Sequence, residues 1–375
     1  MEKLCGHCAR YIQHYILLEE EYKPVLYGHC MRDKLRLHPK TTDFGRSRAP
    51  NGNQNRNCIM NSVLTAKKCY NSSMEPLLKR CRLCPHACGA DRTAGEKGKC
   101  GAGAQLKVAR AALHFWEEPC ISGAVGSGTV FFSHCPLHCV YCQNAGISSG
   151  KAGAGITTGR LADIFLELQE QGAANINLVT PTHYVPHIIE ALARAKERGL
   201  TLPIVYNCSG YEGVEALRLL AGMVDIYLMD FKYMDASIAR RYSHAAGYPL
   251  AAKRALREMV RQAGDAEFDE KGLMRRGVIV RHLLLPGCLE DSRAVVRYLY
   301  ETYGNRIWLS LMSQYTPVCK ERLPEELRRQ VRAEEYDALV DFAVSLGIEN
   351  GFIQEGKAAD ESFIPPFDLT GIFPG

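Results

Sequence analysis

The sequence predicts an α/β protein built on a buried, mostly parallel sheet, preceded by small cysteine-rich modules. Three observations carry this. From Gly126 onward, apolar runs of strand length alternate with stretches of helical length, six times over. The apolar runs are continuous rather than alternating, which suits strands covered on both faces. Most of the 16 cysteines lie at or before Cys142, many at ligand-like spacings. Periodicity alone leaves an incomplete six-unit barrel and a doubly wound sheet both open. Either places ligands at the C-terminal ends of the strands.

The elements follow in chain order. Residues 1–58 form a cysteine-rich extension holding Cys5-x2-Cys8 and Gly28-His29-Cys30. Within it, 39–57 is rich in Asn, Arg, Gly, Pro and Ser and reads as a linker or mobile loop. Cys5, Cys8 and Cys30 are candidate zinc ligands, with Cys58, His29 or His38 as a fourth donor. The alternative is a poorly ordered extension with reactive thiols. A second module, 77–125, holds Cys81-x2-Cys84-x3-Cys88-x11-Cys100. Four thiols so close together are a strong metal-site signal, and zinc and an auxiliary iron–sulfur cluster both accept such ligands. Cys120 stands apart and reads as a buried thiol.

The core, 126–356, carries strands at 129–133, 175–180, 203–207, 225–230, 277–285 and 306–312. Helices are expected at 161–171, 184–198, 214–221, 236–262 (with a break near Gly247-Tyr248-Pro249), 291–303 and 334–346. Residues 357–375 read as a C-terminal tail. The chain of 375 residues is 46% hydrophobic and 23% charged, ordinary for a soluble globular protein. No apolar run approaches the length of a membrane span, and no secretory h-region is visible at Met1–Cys8, so the cytoplasm is the expected compartment. Disulfides are disfavoured there, which makes metal or cluster ligation the default for the clustered cysteines. A formal charge of +5 fits an anionic partner but does not imply nucleic acid, because no long basic run or stacking motif accompanies it.

The segment with most chemistry is Phe131-Phe132-Ser133-His134-Cys135-Pro136-Leu137-His138-Cys139-Val140-Tyr141-Cys142. Three thiolates on one loop can hold three corners of a cubane iron–sulfur cluster and leave one iron open. A Cys3His zinc site using His134 or His138 is the alternative. Further along, Val179-Thr180-Pro181-Thr182-His183, Asn207, Asp230-Phe231-Lys232, Arg281 and Gln314 fall at strand ends. Asp230 and Lys232 alternate onto one face, where charge is costly to bury for stability alone, although a structural salt bridge is the competing explanation. Thr180 and His183 could also be a helix N-cap and a surface residue of a first turn. His282 should face away from Arg281.

On the C-x3-C-x2-C loop and the strand before it, the chain resembles the radical S-adenosylmethionine (SAM) enzymes. The segment 81–120, with Gly-Glu-Lys-Gly-Lys-Cys and Phe-Trp-Glu-Glu-Pro-Cys, resembles a subgroup related to the pyruvate formate-lyase activating enzyme. The likeness spans about residues 77–356. It implies a partial (β/α)6 TIM-like barrel, a [4Fe-4S] cluster on Cys135, Cys139 and Cys142, and SAM as cofactor. It places Tyr141 near the SAM adenine, Thr180 and Asn207 as SAM or substrate contacts, and Asp230 and Lys232 in the active site. It makes Arg281 a bidentate grip for the SAM carboxylate. It also implies an electron donor such as flavodoxin or ferredoxin and, as protein substrate, a glycyl radical enzyme. Two departures stand out. Val179–His183 replaces the family's usual Gly-Gly-Glu segment, and Gln314 stands where the activating enzyme has a histidine. Radical modification of a small molecule or another protein, and a non-catalytic metal-binding or redox-sensing role, are the alternatives.

Overall fold

The computed structural model describes residues 27–30, 75–318, 320–354 and 365–374. Its strands are β1 (Tyr27–Cys30), β2 (Lys107–His114), β3 (Ser127–Phe132), β4 (Ala154–Gly155), β5 (Ile176–Val179), β6 (Ile204–Cys208), β7 (Ile226–Asp230), β8 (Glu267–Phe268), β9 (Met274–Leu283), β10 (Trp308–Met312) and β11 (Gly351–Gln354). They hydrogen-bond in the order β1-β11-β10-β9-β7-β6-β5-β3-β2-β4, with β8 paired to β9 alone. From β3 through β11 every neighbour on this path is parallel. The antiparallel pairs β1·β11, β2·β3 and β2·β4 lie at the two ends.

Among the described residues the path has two free ends, so the sheet they form does not close. It is nonetheless strongly curved. Side chains from β3, β5, β6, β7, β9, β10 and β11 line one cavity, which a flat sheet could not achieve. This is the expected partial barrel. All six expected parallel strands are present, each within a few residues of its predicted position. Continuous burial of Ser127–Phe132 and Ile204–Cys208 explains why their sequences do not alternate.

The helices α1 (Thr158–Glu170), α2 (Val185–Glu197), α3 (Val214–Leu219), α4 (Ala236–Ser243), α5 (Tyr248–Ala263), α6 (Leu289–Tyr303) and α7 (Ala333–Ser345) follow the strands. In α1, Leu161, Ala162, Ile164, Phe165 and Leu168 form the buried stripe, and the Thr157 side chain caps the start by accepting from Arg160 N–H. The stretch expected as one helix over 236–262 is two. His244 adopts a left-handed φ of 54° that stops α4, and Pro249 sits in the first turn of α5, where its missing N–H costs nothing.

A layer of Val205, Ile226, Leu228 and Ile279, with Cys120 and Ile121, forms one apolar cluster across the barrel interior. Cys120 is therefore a core thiol, as expected. Three features depart from the expectation. Lys107–His114, read as part of the cysteine module, is strand β2 and pairs with β3. The chain then carries 115–122 into the barrel interior rather than staying with the cysteines. Gly351–Gln354 adds a seventh parallel strand. Within the segment read as a tail, 365–374 packs on β2. Leu369 N–H donates to Ala109 O at 3.2 Å, Ala111 N–H to Thr370 O at 2.9 Å, and Ile372 is fully buried.

Candidate active site

The loop after β3 is shaped by two residues in a backbone conformation that L-amino acids rarely adopt. His134 and His138 have φ of 75° and 50°, and each immediately precedes a cysteine. These turns bring Cys135, Cys139 and Cys142 onto the wall of a single cavity of about 300 Å³ at the C-terminal ends of the strands. The loop is pinned from several sides. His134 N–H donates to Ile147 O at 2.7 Å, Val140 N–H to Tyr242 O at 2.8 Å, and His86 Nε2 lies 2.8 Å from Pro136 O. Cys135, Cys139 and Cys142 are free thiols.

Burial pushes the Cys135 thiol up to about 11 and Cys142 up to about 12. Thiols so placed stay protonated until a cation offsets the cost of burial. Among the described residues, no three Cys, His, Asp or Glu side chains converge to hold a single ion. A cubane cluster spreads its thiolate ligands over separate corners instead of drawing them to one point, so three cysteines spaced around a cavity wall fit a cluster better than a zinc ion.

Facing the thiols across the cavity is a closed charged network. Arg281 Nε donates to Asp230 Oδ1 at 2.9 Å, Nη1 to Glu117 Oε2 at 3.1 Å and Nη2 to Asn207 Oδ1 at 2.6 Å. Lys232 Nζ donates to Asp230 Oδ2 at 2.8 Å. Glu117 Oε1 accepts from Asn177 Nδ2 at 2.9 Å and from Asn207 Nδ2 at 3.2 Å. Burial alone would raise the Asp230 carboxyl, but Arg281 and Lys232 outweigh it and hold it down to about 2. Burial works against the Lys232 cation, yet Asp230 keeps its pKa above the usual lysine value. Asp230 therefore stays an anion and Lys232 a cation at neutral pH.

The other expected residues fall as follows. Tyr141, Thr180, Asn207 and Gln314 all line the cavity. Tyr141 is buried, with its hydroxyl 2.7 Å from that of Tyr233. Thr180 has φ of 58°, a strained conformation for a β-branched residue, and its N–H donates to Asn207 O at 2.9 Å. It does not cap a helix. Nor is His183 on the surface: it is buried, with Nε2 2.7 Å from Ser133 O, because the short helical turn at Thr182–Tyr184 folds back under the cysteine loop. Gln314 Oε1 accepts from Gln354 Nε2 at 3.0 Å. His282 points away from the cavity, its Nδ1 2.7 Å from Phe231 O.

Sequence reasoning missed Glu117, Glu118 and Asn177. Glu117 and Glu118 arrive on the inserted 115–122 segment. A pair of adjacent carboxylates before Pro119 was the available signal, but nothing local says that they end inside a barrel. Burial raises both carboxyls, Glu118 to about 7.

The Cys81–Cys100 module packs directly against the cysteine loop. A Cβ on Gly98 would meet Cys100 Sγ at 3.3 Å and Cys88 Sγ at 3.5 Å, so these two thiols close on the same glycine. Burial pushes Cys84 up to about 12, and the neighbouring Cys100 and Cys81 thiols add to the rise. Burial also works against Cys88, but N–H donors from Ala90 and Lys99 outweigh it and lower its pKa. Cys5 and Cys8 lie outside the described residues, and Cys30 ends β1 beside Phe352.

Residues 129–287, from β3 to the end of β9 and the turn after it, match the model of the Radical SAM superfamily. An uncharacterized protein of Methanocaldococcus jannaschii is 27% identical over 283 residues, covering 73% of this chain and 77% of its own. Among solved structures, SuiB of Streptococcus suis bound to S-adenosylmethionine is similar at 10% identity with a TM-score of 0.39, covering 59% of this chain and 48% of its own. SuiB bound to its precursor peptide SuiA gives 10% and 0.40, covering 59% and 46%. This chain thus spans about half the length of the solved chains it matches.

Proposed function

We propose that this protein is a radical SAM enzyme in which Cys135, Cys139 and Cys142 hold a [4Fe-4S] cluster and the polar cavity beside them receives SAM. The observation that carries this reading is the meeting of three free thiols and a fixed anion–cation pair, Asp230 and Lys232, on one cavity of a radical SAM domain. When bound and reduced, the cluster supplies the electron that cleaves SAM to methionine and a 5′-deoxyadenosyl radical, which removes a hydrogen atom from substrate.

The chain's own groups orient and protect. Asp230, held ionised, is suited to accept hydrogen bonds from the SAM ammonium or hydroxyls. Lys232 offers a point positive charge for the SAM carboxylate. The bidentate grip expected of Arg281 is taken up by protein, since Nε, Nη1 and Nη2 are each engaged. Arg281 acts instead as the hub that fixes Asp230 and Asn207 in place. Thr180 supplies backbone acceptors at a strand end, Tyr141 packs by the adenine, and the apolar layer beneath Arg281 keeps water from the radical. An electron donor of the flavodoxin or ferredoxin type completes the system. Of the two groups expected on Cys81, Cys84, Cys88 and Cys100, an auxiliary cluster fits better than zinc, since no three of these side chains converge on a single ion either.

For substrate, the Asp-x-Lys segment supports an activase-like enzyme that installs a glycyl radical in a partner protein. Gln314 and Val179–His183 depart from that pattern and favour the second reading, radical modification of a small molecule or another protein. Two experiments separate these. Anaerobic reconstitution with iron and sulfide followed by dithionite should give the electron paramagnetic resonance (EPR) signal of a reduced cluster, altered on adding SAM. A signal unaltered by SAM would remove the enzymatic reading. Incubation with SAM, reductant and a glycyl radical enzyme from the same organism should then produce a glycyl radical doublet, and its absence would favour the second reading.

A further inference from the structure

One thiol of the triplet differs from the other two. Cys139 Sγ accepts a hydrogen bond from Ser243 Oγ at 2.8 Å. Ser243 is fully buried at the end of α4, where the left-handed His244 stops the helix. Its hydroxyl lies 2.8 Å from Tyr233 OH, which lies 2.7 Å from Tyr141 OH. The neighbouring backbone is bolted to the cysteine loop through Val140 N–H and Tyr242 O at 2.8 Å, so Ser243 cannot drift away from Cys139.

We propose that the Ser243 hydroxyl, backed by Tyr233 and Tyr141, sets the reduction potential of the cluster through a hydrogen bond to the Cys139 ligand. The inference rests on the reading that Cys139 is a cluster ligand. A metal-bound thiolate can only accept, and this fixes the direction of the whole chain. Ser243 must donate to Cys139, Tyr233 to Ser243, and Tyr141 to Tyr233. Successive hydroxyls aligned one way polarise one another and strengthen the terminal bond. Reduction adds negative charge to the cluster and its thiolates, so a donor aimed at one of them favours the reduced state and raises the potential. Ser243 is a positioning and tuning residue rather than a catalytic one. The same chain links Tyr141, on the cavity wall, to a cluster ligand without passing through solvent.

The test is EPR-monitored redox titration of the reconstituted full-length protein, with iron and sulfide measured on each sample. Ser243→Ala should retain wild-type iron and sulfide but shift the one-electron reduction equilibrium about tenfold toward the oxidised cluster, a fall of about 59 mV. Ser243→Thr, which keeps a hydroxyl, should restore most of it. Tyr233→Phe should shift the potential in the same direction by less, and it serves as the probe if Ser243→Ala fails to fold. Equal potentials in wild type, Ser243→Ala and Tyr233→Phe, at equal cluster content, would overturn the inference while leaving Cys139 a ligand. A wild-type protein that assembles no cluster would overturn both.

Discussion

Arg281 shows how single residues are constrained in this site. Its guanidinium joins three strands by bonding Asp230 on β7, Asn207 on β6 and Glu117 on the inserted segment. Arg281→Ala leaves buried Glu117 without its cation and Asp230 with Lys232 alone, and should cost about 3 kcal/mol or more in urea unfolding. Arg281→Lys should recover part of that stability but little SAM cleavage, since one ammonium cannot reproduce the three-way fork. Glu118 gives a pH signature. Its carboxyl rises by burial from an ordinary 4.5 to about 7. The native state therefore holds a proton that the unfolded chain releases between those values. Its contribution to stability is full below about pH 4.5 and is lost as pH rises through about 7, a loss of about 3 kcal/mol at about 1.4 kcal/mol per unit. Glu118→Gln should flatten that part of the stability–pH profile between pH 5 and 8, and an unchanged profile would contradict the assignment. Cys135, Cys139 and Cys142 were legible by their spacing after a strand-like run, and Asp230, Lys232, Asn207 and Arg281 by motif resemblance and their place near strand ends; all line one cavity. Glu117 and Asn177 were not, because their roles depend on where a distant segment enters the barrel.

At the scale of elements, the repeat of strands and helices was readable because each parallel strand is buried on both faces and each helix carries one apolar stripe. The irregular parts were not. Strand β2 looks like a continuation of the cysteine module, and β11, Gly351-Phe352-Ile353-Gln354, carries too few apolar residues to register as a repeat. Residues 365–374 hold to β2 by two backbone bonds and by Arg110, whose Nη1 donates to Pro366 O, Asp368 Oδ1 and Thr370 Oγ1, contacts that leave no periodic trace. The junction between β3 and β5 is closely packed. A Cβ on Gly128 would lie 2.8 Å from Asn175 O and 2.9 Å from Ala173 Cβ, and backbone cannot move aside cheaply. Gly128→Ala should therefore lower stability by about 1–3 kcal/mol, read as a lower urea midpoint at unchanged slope.

For the whole molecule, the cysteine module and the barrel behave as one device. His86 reaches Pro136 in the cysteine loop, and Gly213 N–H donates to Leu83 O at 3.1 Å. Replacing the module's thiols should thus disturb the loop that bears the triplet. Cys84→Ser and Cys100→Ser together should weaken the SAM-altered EPR signal of a reduced cluster at Cys135, Cys139 and Cys142, measured after reconstitution. An unchanged SAM-altered signal in that variant would show the module to be independent. No helix among the described residues is long and apolar enough to cross a membrane. The central claim is that the three loop thiols generate a radical from SAM in the cavity they share with Asp230 and Lys232. Its most direct measurement is the yield of 5′-deoxyadenosine from reconstituted protein given dithionite and SAM under anaerobic conditions. Wild type should produce it, and Cys135→Ala, Cys139→Ala and Cys142→Ala should each reduce it to background; equal yields from wild type and the three variants would contradict the account.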